Sequence, residues 1–406
     1  MLFPILYTMA MQGYYLGMRI ASPFHAKAKL FIAGRTHLAE DLESLRAQNK
    51  PVIWFHCASV GEFEQALPLI EAIHNDFQAY QTLVSFFSPS GYQFAKKRYP
   101  SLNICYLPFD TPSACEYFIR KVRPHLAIFI KYEFWYNILR VCHQAQVPLF
   151  LVDGIFRSNQ AFFKPYGNLF KPLLNPFTHF FLQNESSAQL LSQIGYNNHS
   201  VTGDTRFDRV LSISQKPFQN PILKQVCPQP GSAFVAGSVW DTDIPVLTEI
   251  IQELPKNMPI ILAPHQPGYF NTAWIKEPFT LYSQFKENNT ARILILDTLG
   301  HLSSSYRLAR LAYVGGGFGK GLHNILEAAV YGTPILIGPQ FQKFQEAVDL
   351  VASEAAFPVS PENAAEKTRL VLEQGESIRT VLTHYFETRT NVSDKILVFL
   401  KRGKFL

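Results

Sequence analysis

Leu311-Ala312-Tyr313-Val314 runs into Gly315-Gly316-Gly317-Phe318-Gly319-Lys320-Gly321-Leu322-His323-Asn324-Ile325-Leu326-Glu327. An apolar run, a glycine loop and a helix-like stretch from Ile325 to Tyr331 read as strand, turn and helix start. Glycines let backbone N–H groups approach an anion, and the first turn of a helix adds unpaired donors and a favourable dipole. The glycines alone do not name a ligand. The dinucleotide pattern G-x-G-x-x-G fails, because Lys320 or Leu322 falls where its third glycine belongs. A P-loop would need glycine at Val314 and a hydroxyl at Gly321. A phosphate or nucleotide site and a tight structural turn remain as the two readings.

Working outward, short apolar runs alternate with helical periods on both sides of this loop. Val52–Phe55, Thr82–Phe87, Leu126–Ile130, Leu149–Val152 and His179–Leu182 read as buried strands before it, with helices such as Glu62–His74 and Phe134–Gln146 between them. Pro217, Pro221, Pro228 and Pro230 interrupt the rhythm, and a linker is expected over 213–231. The rhythm resumes with Ala233–Ala236, Ile260–Ala263, Arg292–Leu296, Leu311–Val314 and Pro334–Ile337. The expected architecture is α/β: two doubly wound Rossmann-like domains, 21–212 and 232–377, facing a cleft, followed by a helical segment over 378–406.

Composition bears on the surroundings. A 406-residue chain exceeds one ordinary core. It is 47% hydrophobic and 14% aromatic but only 17% charged, a balance that suits contact with lipid. Net charge is +6, with no basic stripe interleaved with aromatics, so an anionic substrate or lipid surface fits and nucleic acid does not. Five cysteines without C-x-x-C spacing read as reduced thiols. Residues 1–18 carry no charge and are followed by Arg19, Lys27, Lys29 and Arg35. Residues 1–20 therefore read either as a membrane anchor or interfacial helix, with the remainder held on the cytoplasmic side, or as the buried first helix of the domain. Lys401, Arg402 and Lys404 close the chain and suit a membrane surface as well.

Two doubly wound domains with an anion loop in the second are the arrangement of GT-B glycosyltransferases. The chain resembles the 3-deoxy-D-manno-octulosonic acid (Kdo) transferases of lipopolysaccharide assembly. The resemblance rests on Trp54-Phe55-His56-Cys57-Ala58-Ser59-Val60-Gly61-Glu62, Tyr106-Leu107-Pro108-Phe109-Asp110, Glu133-Phe134-Trp135-Tyr136-Asn137 and Gly203-Asp204-Thr205-Arg206-Phe207-Asp208. It continues, in order, through Gly237-Ser238, Ala263-Pro264-His265-Gln266-Pro267, Asp297-Thr298-Leu299-Gly300, Gly315–Gly317, His323–Glu327 and Gly338-Pro339. Each motif is weak alone, and their shared order is specific.

The resemblance implies inverting, metal-independent transfer of Kdo from CMP-Kdo to a lipid A precursor (lipid IVA) at the inner membrane, without a further cofactor. It assigns Glu62 as catalytic base, at the carboxyl edge of the sheet, where an acid in the first turn of a helix is also favoured on dipole grounds. Donor contacts fall on Ser238, His265, Gly315, Gly316, Gly317, Lys320, His323, Asn324 and Glu327. Acceptor contacts fall on Ser88, Ser90, Gly91, Glu133, Asn137 and Arg157. Helix capping is the plainer role for Ser88, Ser90 and Asn324. The family often carries Arg-His-Pro where this chain has His265-Gln266-Pro267, so a permanent charge is replaced by a group that titrates. Asp241-Thr242-Asp243 has a metal-binding D-x-D form, but it lies at a helix entry where acids are favoured anyway. A GT-B transferase or epimerase that uses a UDP- or GDP-sugar is the alternative. Oligomeric state, the number of Kdo units added and acyl preference are not readable from the sequence.

Overall fold

Apolar runs with alternate residues buried on opposite faces form the strands. The computed structural model describes residues 2–47, 49–287 and 289–406. In the first unit these strands are β1 (Val52–Cys57), β2 (Gln81–Phe86), β3 (Asn103–Tyr106), β4 (Pro124–Ile130), β5 (Leu149–Gly154), β6 (His179–Leu182) and β7 (His199–Val201). All pair in parallel, in the order β3-β2-β1-β4-β5-β6-β7. A parallel sheet must be covered on both faces, and β1 shows how. Val52 and Trp54 join one core with Leu83, Ala127 and Leu149, whereas Ile53, Phe55 and Cys57 join the other with Val84, Ile128 and Phe150.

The second unit repeats the plan with β8 (Ala233–Val239), β9 (Ile260–Pro264), β10 (Phe279–Leu281), β11 (Ile293–Ile295), β12 (Ala309–Val314), β13 (Ile335–Ile337) and β14 (Ala356–Pro358). Its order is β10-β11-β9-β8-β12-β13-β14, again parallel. The strand order reverses between β1 and β4 in one sheet and between β8 and β12 in the other. At such a reversal the following loops diverge and leave a crevice at the carboxyl edge.

The division of the chain differs from the expected one. One unit runs to Arg209 and includes Asn391–Leu406; the other is Val210–Thr390. The stretch 213–231 holds the end of the helix Arg206–Gln215 and a short helix, Pro221–Val226, capped by Asn220. Its prolines mark that helix start and the turns around it. The segment 378–406 is likewise two elements. The helix Gly375–Glu387 belongs to the second unit, and Val392–Arg402 packs Val392, Ile396, Leu397 and Leu400 against Phe63, Leu67 and Ile70 of the first. Asn391, at φ 64°, breaks them, and Asp208 accepts the Val392 and Ser393 N–H groups at 3.2 and 2.7 Å.

Met1, in the expected anchor, lies outside the described residues; Leu2–Ala21 is one helix. Its Phe3 and Tyr7 stand edge-on to Tyr136, and the Tyr7 hydroxyl donates to Asp110 at 2.7 Å. Ile5, Leu6, Met9, Leu16 and Ile20 on the same helix are each more than half exposed. One side of the helix thus packs on the domain, as a first helix of the fold would, and the other leaves an apolar row exposed. No described helix is long and apolar enough to cross a membrane. The five cysteines are free and buried.

Candidate active site

β1 ends in His56-Cys57, and the chain turns through Ala58-Ser59 into the helix Val60–Asp76. Glu62, in the first turn, reaches back to accept the Ser59 N–H at 3.2 Å and the Ala58 N–H, the return half of a capping box. The structural role is therefore real, yet the carboxylate is only half-buried. Burial and then the neighbouring Glu133 push its pKa up, against the Ala58 N–H, His56 and Lys131, which pull it down. The net upward shift makes Glu62 a better proton acceptor than an ordinary surface carboxylate.

Glu133 lies in the loop that follows the adjacent strand, β4, on the other side of the reversal. Lys131 leaves β4 in a left-handed conformation, φ 63°, with its N–H held by the Val152 carbonyl at 2.9 Å. That turn aims the next residues along the edge. Glu133 accepts the Trp135 indole N–H at 2.6 Å and meets His56 Nε2 at 3.3 Å. His56 Nδ1 lies 2.9 Å from Ser85 Oγ, which accepts the Trp54 indole N–H at 2.8 Å. A polar chain thus links β1, β2 and the loop after β4 beneath the site.

A second buried network fixes the helix that carries Glu62. Gln65 donates to Asp153 at 2.8 Å and to Asp204 at 3.2 Å. Asp153 also accepts the Thr205 N–H at 3.0 Å and its hydroxyl, and Asp204 pairs with Arg206. Burial, then Asp204, raises the Asp153 pKa. Burial also resists ionisation of Asp204, but Arg206 wins and holds it low. The Gly203–Asp208 motif therefore supports Glu62's helix.

The remaining acceptor-side candidates separate. Ser88 caps the helix Pro89–Arg98 through the Gly91 N–H, and its own N–H is held by the Ala58 carbonyl at 3.0 Å, beside Glu62's turn. Ser90 is exposed and donates to Ser88. Arg157 is exposed over the Tyr132 ring, next to Glu133. Gly91 packs inward against Phe86. Asn137 is a correction: it is 1% exposed, and both its backbone and side-chain nitrogens bind Asp110, with Thr8 alongside. It joins the N-terminal helix to the domain instead of facing a substrate.

In the second unit the strand irregularity at the end of β8 leaves Ser238 at φ 54°. Asp243 accepts the Trp240 N–H at 2.8 Å, the Gly316 N–H at 3.2 Å and the Tyr313 hydroxyl at 2.8 Å. The D-x-D carboxylate is thus the anchor of the glycine loop. Among the described residues no group of three or more His, Cys, Asp or Glu is placed to hold a metal ion. Gly316 sits at φ 93°, and a Cβ on Gly317 would come within 2.7 Å of the Gly338 backbone.

Two expectations for this loop change. The Gly315 N–H is held by the Gly237 carbonyl at 2.9 Å and the Gly316 N–H by Asp243, so these two amides bind the fold itself. The helix expected over Ile325–Tyr331 is one turn, Leu326–Ala329, too short for a substantial dipole. Asn324 Oδ1 accepts the Leu326 N–H just before that turn, and its amide donates to Glu327, which also accepts the Ser303 hydroxyl. Around the loop, the His265 ring stacks on Trp240 at 4.0 Å and meets His323 at 4.6 Å. Lys320 is exposed, 5.6 Å above the Trp240 ring. Burial keeps His265 below the usual histidine range, so it does not restore a permanent charge.

The family described as 3-Deoxy-D-manno-octulosonic-acid transferase (kdotransferase) matches residues 33–209. The 3-deoxy-D-manno-octulosonic acid transferase of Chlamydia trachomatis serovar A is 30% identical over 308 residues, 71% of this chain and 70% of that protein. The chain belongs to the Kdo transferase family. It is a glycosyltransferase of lipopolysaccharide biosynthesis. The Kdo transferase of Chlamydophila psittaci is 26% identical over 371 residues, 87% of this chain and 82% of that protein. Among solved structures, UDP-GlcNAc 2-epimerase from Neisseria meningitidis bound to UDP-GlcNAc aligns with TM-score 0.61 at 14% identity, over 87% of this chain and all of that one. A spinosyn rhamnosyltransferase complexed with thymidine diphosphate aligns with TM-score 0.52 at 13% identity, over 86% of this chain and 99% of that one. These likenesses show the two-domain α/β GT-B fold of this Kdo transferase.

Sequence reasoning gave no role in this transferase to His56, Gln65, Asp153, Asp204 or Trp240. A signal existed for two of them, since His56 and Asp153 are polar residues inside otherwise apolar strand runs and such groups are buried only with partners.

Proposed function

We propose that this Kdo transferase moves Kdo from CMP-Kdo to a lipid A precursor, lipid IVA, with inversion at the anomeric carbon and Glu62 as general base. The observation that carries the reading is the half-buried Glu62 carboxylate at the β1 edge, raised in pKa beside Glu133. Glu62 takes the proton of an acceptor hydroxyl. The freed oxygen attacks the anomeric carbon from one face, and the bond to the CMP phosphate breaks on the other, its electron pair leaving with CMP. Glu133, Ser88, Ser90 and Arg157 serve the acceptor. Ser238, His265, Gly317, Lys320, His323, Asn324 and Glu327 serve the donor, whose phosphate and carboxylate suit Lys320. The reading uses no metal ion and no further cofactor.

The acceptor is a lipid, which gives the exposed apolar row of the helix Leu2–Ala21 a use. Ile5, Leu6, Met9, Leu16 and Ile20 insert at the interface of the inner membrane, with Arg19, Lys27 and Lys29 at the headgroups and the catalytic units on the cytoplasmic side. Charged substitutions at Leu6, Met9 and Leu16 together should abolish co-sedimentation with anionic vesicles.

The decisive assay follows CMP release from CMP-Kdo and lipid IVA, with product mass read by mass spectrometry. Glu62→Gln should lower kcat by about 10²–10⁴-fold. Glutamine is accepted in a capping box, so the fold should survive the change. Undiminished release in a folded Glu62→Gln protein would refute the mechanism. Thermal stabilisation by UDP or GDP compounds and none by CMP compounds would favour a different nucleotide sugar.

A further inference from the structure

We infer that Trp240 is a positioning residue of the donor site: its indole N–H fixes His323 as a neutral ring protonated on Nδ1, and its ring face holds the Lys320 ammonium. The inference rests on the donor reading above and concerns a residue that the sequence motifs did not single out.

Trp240 Nε1 lies 3.2 Å from His323 Nε2. An indole N–H donates and cannot accept, so His323 Nε2 must present its lone pair. The ring proton is then on Nδ1, and protonating Nε2 would break the bond. Burial and the neighbouring His265 act in the same direction, holding the His323 pKa down at about 4. His323 therefore offers one N–H without a charge. Both residues are tied to the glycine loop. The Trp240 backbone N–H shares Asp243 with the Gly316 N–H, and the His323 N–H donates to the Gly315 carbonyl at 3.3 Å. His265, stacked on the indole at 20°, restricts the ring from tipping. Lys320 sits 5.6 Å from the same ring's centroid, within cation–π range. One side chain thus organises a neutral donor and a cation, the two kinds of partner that a nucleotide sugar with a phosphate and a carboxylate uses.

A plain packing role for Trp240 predicts no particular tautomer, so the tautomer is the test. Long-range 15N NMR of the full-length, ligand-free protein should show His323 Nδ1 protonated and Nε2 bare from pH 5.5 to 8. Trp240→Phe keeps an aromatic face but no N–H, and should put part of the proton on Nε2. In calorimetry it should weaken CMP binding about tenfold while leaving cytidine, which lacks the phosphate, within twofold. Lys320→Met should weaken CMP without changing the tautomer. A wild-type His323 protonated on Nε2, a measurement needing no variant, would overturn the inference. So would CMP binding as tight in folded Trp240→Phe as in wild type. If the protein answers to UDP and not CMP, the donor reading fails, but the tautomer and a UDP-against-uridine comparison still decide the role of Trp240.

Discussion

A carboxylate that caps a helix and one that takes a proton from a substrate need opposite surroundings. The Ala58 and Ser59 amides favour the charged form of Glu62; burial and Glu133 disfavour it, and the second pair prevails. Removing one negative neighbour should therefore lower the pKa. In Glu133→Gln, the acidic limb of the kcat/KM profile should move to lower pH, whatever happens to the plateau. A limb that stays in place would separate Glu133 from the base. The helix-capping role of Glu62 was legible because an acid is favoured in the first turn of a helix; its role as base is the proposal made above. Asn137 was misread because an asparagine after a strand has the same local look whether it meets a ligand or a buried carboxylate. Its partner, Asp110, is 27 residues away, and only the fold brings them together.

Ten of the fourteen strands among the described residues were legible, and the four that were not, β3, β7, β10 and β14, are the outer strands of the two sheets. Each is three or four residues long and incompletely buried, so it lacks the continuous apolar run that marks a central strand. The helix after the glycine loop was overcalled because the apolar pattern Ile325–Tyr331 also covers the turn residues on either side of the single helical turn Leu326–Ala329, before Gly332, at φ 69°, closes the stretch. The loop itself gives a sharp prediction. Gly317→Ala and Gly338→Ala each force a Cβ into the other's backbone and should cost about 1–3 kcal/mol in urea unfolding. In β6, burial and then His199 hold His179 down at about 4 against an ordinary 6.5. Below pH 6.5 the unfolded chain takes the proton first, so this contribution is complete above 6.5 and fades towards pH 4. The stability of wild type relative to His179→Phe should fall over that window, as melting curves would show.

At the scale of the whole molecule, the Pro-rich stretch and the C-terminal helices gave the right class of fold but not the path of the chain. Periodicity shows that Val392–Arg402 is a helix without showing which sheet it covers. Ile396→Ala or Leu400→Ala should destabilise the first unit by about 2–5 kcal/mol, read from hydrogen exchange in β1 and β4. Unchanged exchange there would mean that the helix contributes little. Because that helix completes the first unit, the order of synthesis constrains folding. When the first 209 residues have left the ribosome, the face over Phe63 and Ile70 still lacks its cover, and Asp208 lacks the two amides it caps. The second unit is continuous and is made next, over about 10–40 s at ~5–20 residues per second. It can finish folding while the first waits, open on one side, for Val392–Arg402 to be made.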